Sequence, residues 1–300
     1  MIGITSYKDR EAVSVSCGKL SLLVLPKDGA KIASLKAMPE GRELLLTRDT
    51  PEYRRLSYDG IYIDSECSAF DDMFPTVDPY TPSGGAYRGI TYPDHGECAR
   101  LEYDYLIDGD LLILTAESKL FPIRYEKRIR ALENSIRISY SYHNFGDADL
   151  PFIYASHIMI KGEDGMKILT PFRENSETET VFKTEGYSDG ELSHTELTGF
   201  IPGRGAAYKF YYLEKIPNGK FSLEYKDGSA IIFEYDKEKL PYLGIWFNNG
   251  EFQNIYNIAP EPCTAPFDSP SEAEKRGYTV PRLCAREKFE FDIDISFLKE

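Results

Sequence analysis

The chain has 300 residues, 42% of them hydrophobic and 28% charged, and a formal net charge of −14, so it is expected to bury a substantial core and to avoid nucleic acid and anionic membranes. No apolar run reaches the roughly 18 residues of a membrane-spanning helix, and acidic residues stand where a signal peptide would be apolar. We therefore expect a cytoplasmic protein, monomeric or homodimeric, whose partner is a small molecule.

Most of the chain is expected to form antiparallel β-strands, because apolar or alternating runs are separated by turn signals such as Gly18-Lys19 and Asp227-Gly228. In the run 136–142, one face is apolar or aromatic and the other is polar, which is typical of a half-buried strand. The predicted strands are 12–17, 20–25, 31–38, 43–46, 101–107, 111–118, 123–132, 135–144, 153–160, 206–213, 220–227, 229–236, 242–247, 254–259 and 288–298.

Three polar stretches interrupt this pattern. Residues 47–66 are expected to be a connection that contains a helical turn, and 163–205 to be short strands and loops. Residues 69–97, rich in Pro and Gly among aromatic and acidic residues, are expected to be a long loop, and loops of that length are usually functional. The balance of many strands against little helix predicts one large all-β sandwich.

The stretch from Trp246 to Gly277 is the strongest candidate for a site. Pro260-Glu261-Pro262 is expected to hold a carboxylate on backbone outside the sheet ladder, because proline cannot donate to it. Ser269 and Glu272 form a capping box, Pro270 takes the first helical position and Gly277 ends the turn. A polar loop with an incidental Glu is the alternative interpretation.

Two of the four histidines are candidates for ligand contact. His95 follows the long loop between two acidic residues, in the sequence Asp94-His95-Gly96-Glu97. His157 lies in a strand-like run on the same face as apolar residues, where it is either a satisfied core residue or a catalytic group. His143 and His194 are expected to lie in turns or on the surface, and no role is assigned to them.

Metal and cofactor chemistry are not indicated. His95, Glu97, His157 and Glu261 could in principle bind a metal, but their spacing matches no ligand motif, and no nucleotide-binding or nucleophile-elbow motif occurs. The five Cys are odd in number and contain no C-x-x-C, so reduced thiols are expected. What remains is general acid and base chemistry by His and Glu, with no cofactor and no metal.

The order of several motifs resembles the aldose 1-epimerase (galactose mutarotase-like) family. The motifs are GAKIASLK (29–36), DDMFPTV (71–77), DHGE (94–97), NFGDADLPFIYASH (144–157), YLGIWFNN (242–249) and IAPEPCTAP (258–266). The resemblance implies one galactose mutarotase-like domain over 1–300, a twisted antiparallel super-sandwich with an open sugar-binding face. It also implies cofactor-free interconversion of the α and β anomers of an aldose. Ile158-Met159-Ile160 replaces the aromatic pair that follows the acid in the best-known members, which suits a divergent bacterial-type member.

The resemblance also implies roles. His157 would be the general acid that protonates the ring oxygen, and Glu261 the base that takes the proton of the C1 hydroxyl. His95 would hydrogen-bond the ring side of the sugar, and Trp246 would pack on its apolar face. Hydroxyl groups would be bound by Asp72 and Asn248.

Two other functions stay open at this stage. A non-catalytic sugar-binding sandwich would use the same aromatic face without an acid and a base. A glycoside hydrolase or lyase would need two carboxylates across the sugar, and only Glu261 is an obvious candidate. An acidic chain without a basic cluster favours a neutral sugar over a sugar phosphate, and Arg88 is interpreted as a solvated loop residue.

Overall fold

The computed structural model describes residues 1–185 and 197–299, and these ranges contain 22 β-strands and the short helix α1 (Pro270–Lys275). Short 3-10 turns occur at Tyr62–Asp64 and Cys98–Arg100. The strands are β1 (Ile2–Tyr7), β2 (Arg10–Ser16), β3 (Leu20–Leu25), β4 (Lys31–Ala37), β5 (Arg42–Glu43), β6 (Phe70–Met73), β7 (Asp104–Asp108), β8 (Leu111–Glu117), β9 (Ile123–Ala131), β10 (Ser135–Asn144), β11 (Leu150–Pro151), β12 (Ala155–Ile158), β13 (Ile160–Lys161), β14 (Lys167–Leu169), β15 (Thr178–Lys183), β16 (Ala206–Tyr212), β17 (Lys220–Glu224), β18 (Ala230–Tyr235), β19 (Tyr242–Asn249), β20 (Tyr256–Cys263), β21 (Arg282–Leu283) and β22 (Lys288–Leu298).

Two large antiparallel sheets form the fold. The twelve-stranded sheet has the order β1-β2-β3-β4-β6-β12-β20-β19-β16-β15, with β5 paired to β4 and β13 paired to β20. The eight-stranded sheet has the order β14-β17-β18-β22-β10-β9-β8-β7, and β11 pairs with β21. Buried side chains of both sheets join in one core, in which aromatic rings such as Phe74, Tyr142 and Phe291 contact one another. The prediction of an all-β antiparallel sandwich is confirmed.

The long loop expected over 69–97 contains a strand that the pattern did not predict. Residues Phe70–Met73 form β6, which pairs with β4 on one side and β12 on the other, in the middle of the twelve-stranded sheet. The expectation failed because β6 contains two adjacent acids, Asp71 and Asp72, which are normally depleted in strands. Both carboxylates are buried with partners from distant segments.

The two prolines around Glu261 also lie in a strand, which corrects the expectation that this backbone stands outside the ladder. Pro260, Glu261 and Pro262 pair in β20 with residues of β19. On its other edge β20 pairs with β13 up to Ile258 and with β12 only at Cys263. Over the residues between, the ladder has one side only, so a strand with two missing N–H donors is tolerated there.

The helix α1 is capped at both ends by the predicted residues, but only half of the predicted capping box forms. Ser269 Oγ accepts a hydrogen bond from the Glu272 backbone N–H at 3.3 Å. Gly277 has a φ of +83°, and the N–H groups of Gly277 and Tyr278 bond back to the last turn in a Schellman motif. The Glu272 carboxylate bonds to Lys275 and Arg276 instead of reaching back to the cap. The caps fix the chain direction just after Asp268.

In the described ranges, no helix is long and apolar enough to cross a membrane. The cytoplasmic location stays a prediction. His143 lies in β10, and His194 lies outside the described residues.

Candidate functional site

A cavity of about 320 Å³ lies on the face of the twelve-stranded sheet that points away from the eight-stranded sheet. Strand alternation explains its position, since side chains such as Ile158 and Ile258 enter the core between the sheets, while His157 and Asn257 line the cavity. Five of the six predicted site residues line this cavity, namely His157, Glu261, His95, Trp246 and Asn248.

The sheet register brings His157 and Glu261 together. Glu261 pairs with Gly244 across β20 and β19, and His157 pairs with Asp71 across β12 and β6. Ala155 pairs with Cys263, so two residues further on His157 and Glu261 face each other across β12 and β20. His157 Nε2 lies 3.9 Å from Glu261 Oε1. A residue separation of about a hundred positions is thus closed by neighbouring strands.

Glu261 is held in a buried ion cluster. Its residue is 1% exposed, and Lys209 Nζ lies 2.7 Å from its Oε2. The same ammonium lies 2.6 Å from Asp268 Oδ1, which also accepts a hydrogen bond from the Tyr211 hydroxyl at 2.7 Å. Burial raises the pKa of Glu261 above its ordinary value of 4.5, although the charge of Lys209 acts in the opposite direction. The cluster therefore holds one carboxylate oxygen and leaves the other beside His157.

The sequence reasoning missed Lys209, Asp268 and Tyr211. Burial opposes the charge on Lys209, but Asp268 and Glu261 outweigh it and raise the pKa of that ammonium. A usable signal was present, since Lys209 is the only charged residue in the aromatic strand β16, whose seven residues are all buried. A buried lysine in a strand needs carboxylate partners, and so indicates a place where buried acids gather.

His157 is buried, and its Nδ1 contacts a tyrosine hydroxyl. The Tyr62 hydroxyl lies 3.0 Å from His157 Nδ1 and donates to Asp71 Oδ2 at 2.9 Å. Burial, and then the charges of His95, Lys209 and Lys31, hold the pKa of His157 well below its ordinary value of 6.5. His157 is thus neither a core residue with only apolar neighbours nor freely solvated.

His95 enters the cavity from a strained turn. Its φ is +56°, and its Nδ1 lies 2.7 Å from Asp94 Oδ1. Gly96 follows with a φ of +73°, where a Cβ atom would stand 2.4 Å from backbone atoms of Phe74, so only glycine fits. The His95 ring stacks on Tyr62 with centroids 3.7 Å apart and an angle of 4°. The turn therefore places a second imidazole next to His157, at a centroid distance of 5.4 Å.

Three aromatic rings form one wall of the cavity. Trp246 lies 5.7 Å from Phe182 and 5.9 Å from Phe252, measured between ring centroids. The predicted hydroxyl ligand Asn248 has another task, because its amide bonds both to the N–H and to the C=O of Phe252. Asn248 thus holds the turn that carries Phe252. An apolar wall facing a few polar groups is the usual arrangement of a small-molecule binding site.

Asp72 does not fit its predicted role as a ligand for sugar hydroxyls. It points to the core side of β6, where Lys127 Nζ lies 2.8 Å from Oδ2 and the Tyr154 hydroxyl donates to Oδ1 at 2.7 Å. Alternation in β6 sends the neighbouring residue, Asp71, to the other face. Neither Asp72 nor the exposed Arg88 is among the described residues that line the cavity.

No three His, Cys, Asp or Glu side chains in the described part of the chain are grouped to hold a metal ion. That the reaction needs no metal or cofactor remains a prediction. All five cysteines are free, in agreement with the expected thiols.

No family model and no curated protein matches the chain. Solved structures do match over nearly the whole chain. The Slr1438 protein from Synechocystis sp. PCC 6803 is similar at 15% identity and a TM-score of 0.71, with 99% of both chains covered. A protein from Klebsiella pneumoniae described as a proposed aldose 1-epimerase is similar at 14% identity and a TM-score of 0.72, with 99% of this chain and 82% of that chain covered.

A galactose mutarotase-like protein from Lactobacillus casei is similar at 15% identity and a TM-score of 0.67, with 96% of this chain and all of that chain covered. Identities this low establish the fold alone. The chain has the galactose mutarotase-like β-sandwich fold, in agreement with the sequence motifs.

Proposed function

We propose that the protein is an aldose 1-epimerase, which interconverts the α and β anomers of a free aldose by general acid and base catalysis. The observation that carries the proposal is the 3.9 Å separation of His157 Nε2 and Glu261 Oε1 in one cavity. The ring oxygen and the anomeric hydroxyl are bonded to the same carbon, C1, so an acid and a base for this reaction must lie close together. The fold of the similar structures supports the same class of activity.

The reaction begins with His157 protonated and Glu261 ionised. His157 donates the Nε2 proton to the ring oxygen, and Glu261 takes the proton of the C1 hydroxyl. The bond from C1 to the ring oxygen breaks while the C1 hydroxyl oxygen becomes the carbonyl of the open-chain aldehyde. Rotation about C1–C2 turns the other carbonyl face to the ring hydroxyl, and both proton transfers run in reverse. The enzyme returns to its starting state with the other anomer bound.

The charges around the cavity favour an uncharged sugar. Its described lining includes the carboxylates of Asp78, Asp94, Glu261 and Asp268 but a single lysine, Lys209. That ammonium already contacts Glu261 and Asp268. A sugar phosphate would bring its charge among carboxylates, whereas hydroxyl groups can donate to them, and Trp246 with its two neighbouring rings can cover the C–H face.

Polarimetry tests the proposal. Freshly dissolved α-D-glucose and α-D-galactose, followed by a panel of other aldoses, are mixed with the wild-type protein, with Glu261→Gln and with Glu234→Gln. Glu234 lies in β18 of the other sheet and serves as a matched control. We expect Glu261→Gln to lose roughly 10²–10⁴-fold of the catalysed rate, because it removes one proton-transfer group, while Glu234→Gln keeps it.

Failure of the wild-type protein to accelerate the decay of optical rotation for every aldose would refute the catalytic proposal. Titration calorimetry with the same sugars then separates the two remaining cases. Binding without acceleration would identify a non-catalytic carbohydrate-binding sandwich, and no binding would exclude a sugar site of either kind for the sugars tested.

A further inference from the structure

A chain of hydrogen bonds continues behind His157, away from the cavity. Lys31 Nζ lies 2.7 Å from Asp71 Oδ2, the Tyr62 hydroxyl donates to the same oxygen at 2.9 Å, and the Tyr62 oxygen lies 3.0 Å from His157 Nδ1. All four residues are at most 5% exposed. Direct side-chain contacts thus connect the ammonium of Lys31 to the imidazole of His157.

The chemistry of the chain decides which ring nitrogen of His157 carries hydrogen. The hydroxyl group of Tyr62 has one hydrogen to donate. Tyr62 donates it to the carboxylate of Asp71, which is paired with Lys31 and can only accept. The Tyr62 oxygen must then accept at its contact with His157, so Nδ1 carries the N–H. A neutral His157 consequently presents the lone pair of Nε2 to the cavity and to Glu261.

We propose that Tyr62, held by Asp71, is a positioning residue that fixes His157 in the Nδ1–H tautomer so that Nε2 alone exchanges the catalytic proton. The inference rests on the proposed function for its catalytic meaning, but the tautomer itself is a property of the protein. Tyr62 touches no reacting atom. It acts through the imidazole, as the partners that orient metal-ligating or catalytic histidines do in other sites.

This arrangement matches what the reaction requires. An imidazolium that gives up its Nε2 proton to the ring oxygen necessarily becomes the Nδ1–H tautomer. Tyr62 accepts from Nδ1 before and after the transfer, so no hydrogen bond has to be exchanged at the moment of reaction. When the ring closes, the same Nε2 lone pair takes the proton back, and the ring of His157 does not need to flip.

Other charged and titratable groups face His157 from each neighbouring element. Asp71 and Lys31 lie behind it in β6 and β4, Glu261 faces it from β20, and Lys209 reaches the cavity from β16. His95 stands beside it at a ring distance of 5.4 Å. His95 is occupied by Asp94 through its own Nδ1, so the hydroxyl of Tyr62 is the group that binds His157 Nδ1.

Nitrogen NMR reads the tautomer directly. The full-length protein, labelled with ¹⁵N at histidine, contains four histidines, and the His157 signals are those missing from the spectrum of His157→Asn. At a pH where His157 is neutral, we expect Nδ1 to show the shift of a protonated nitrogen and Nε2 that of a nitrogen with a lone pair. The opposite assignment in the wild-type protein would overturn the proposal.

Tyr62→Phe removes the hydroxyl and keeps the ring that stacks on His95. We expect the neutral His157 to move towards the Nε2–H tautomer, which free imidazole side chains favour. The kcat for mutarotation should fall roughly 10–100-fold with little change in KM, because sugar contacts remain while the proton carrier is misoriented.

Tyr154→Phe is the matched control, since Tyr154 is also a buried tyrosine that donates to an aspartate of β6, namely Asp72. It should lower stability without changing the His157 tautomer or kcat. If Tyr62→Phe keeps the wild-type tautomer, the positioning role is wrong. If the tautomer shifts but no aldose is converted by the wild-type protein, the positioning role of Tyr62 is confirmed and the proposed function fails.

Discussion

Asp71 and Asp72 are neighbours in β6, and their surroundings are nearly the same in chemistry and opposite in consequence. Each carboxylate lies against a lysine, Lys31 at 2.7 Å or Lys127 at 2.8 Å. Each also accepts from a tyrosine hydroxyl, in the first case Tyr62 at 2.9 Å. In the second case, the Tyr154 hydroxyl donates to Asp72 at 2.7 Å. Strand alternation alone separates these two triads, which are Lys31-Asp71-Tyr62 and Lys127-Asp72-Tyr154.

What differs is where each tyrosine leads next. Tyr62 continues to His157 and so to the cavity, whereas the Tyr154 hydroxyl continues to Ser156 at 3.0 Å inside the sandwich. The same set of lysine, aspartate and tyrosine therefore contacts His157, the proposed proton carrier, on one face and satisfies buried polar groups on the other. Changes on the core face should act on stability alone, whereas changes on the cavity face should also act on the proposed reaction.

Lys127→Met should have the largest effect on stability. The substitution removes an ammonium that lies over the rings of Phe70 and Tyr140. It leaves Asp72 as a buried carboxylate without its cation, so the free energy of unfolding should fall by about 3–5 kcal/mol. Urea denaturation followed by fluorescence measures it. The activity per folded molecule should remain that of the wild type.

The double variant Lys127→Met/Asp72→Asn is the control for this prediction. It removes both charges and keeps an acceptor for Tyr154, so it should recover most of the lost stability. A single variant as stable as the wild type would show that the core-face pair is not what holds β6 in the sheet.

The sequence could predict the elements whose evidence is local. The alternation in residues 135–144 predicts both ends of β10 correctly, and Ser269 and Gly277 predict the caps of α1. Strand β6 could not be predicted, because its two adjacent acids can be buried only when they pair with lysines that lie 40 and 55 residues away in the sequence. Their partners depend on the sheet order, which no local pattern contains.

The candidate site was predictable to the same extent. Glu261 between prolines and His157 in a strand are visible in the sequence, and the structure brings both to one cavity. Tyr62 and Lys209 become site residues only because β6, β12, β20, β19 and β16 are neighbours in space although they are scattered in the chain. The prediction for Asp72 failed because adjacent residues cannot be assigned to a face until the strand is known.

Gly244→Ala tests the cavity face by crowding. Gly244 pairs directly with Glu261, and a Cβ atom there would stand 2.7 Å from the Tyr211 ring, which bonds Asp268. Forcing that ring aside should cost about 1–3 kcal/mol of stability and also lower kcat, since the cluster that holds Glu261 must shift. Denaturation and polarimetry measure the two effects.

Gly3→Ala is the matched substitution, because Gly3 is also a strand glycine and its added Cβ would meet only Ser14 Oγ at 3.6 Å. It should leave kcat unchanged. An unchanged kcat in Gly244→Ala as well would mean that the position of the Tyr211 ring does not matter to Glu261.

The smallest expected effect is a shift in the pH profile, and it separates the two triads most cleanly. The proposed mechanism needs His157 protonated, a state lost as the pH rises through a pKa lowered below 6.5. It also needs Glu261 ionised, a state lost as the pH falls through a pKa raised above 4.5. The bell-shaped profile of kcat/KM against pH should thus be narrower than the interval from 4.5 to 6.5 between the two ordinary pKa values. Both limbs of the profile belong to the coupled pair of His157 and Glu261.

Lys31→Met should move the alkaline limb to higher pH, because the charge of Lys31 is one of the causes that lower the pKa of His157, while Lys127→Met should leave that limb in place. The comparison is made by polarimetry on folded protein across the same buffers. Equal shifts in both variants would mean that the limb responds to general loosening of β6, and the distinction between its cavity face and its core face would then be wrong. A shift confined to Lys31→Met would mean that the charge next to Asp71 reaches the proton carrier, whereas the equivalent charge next to Asp72 contributes to stability alone.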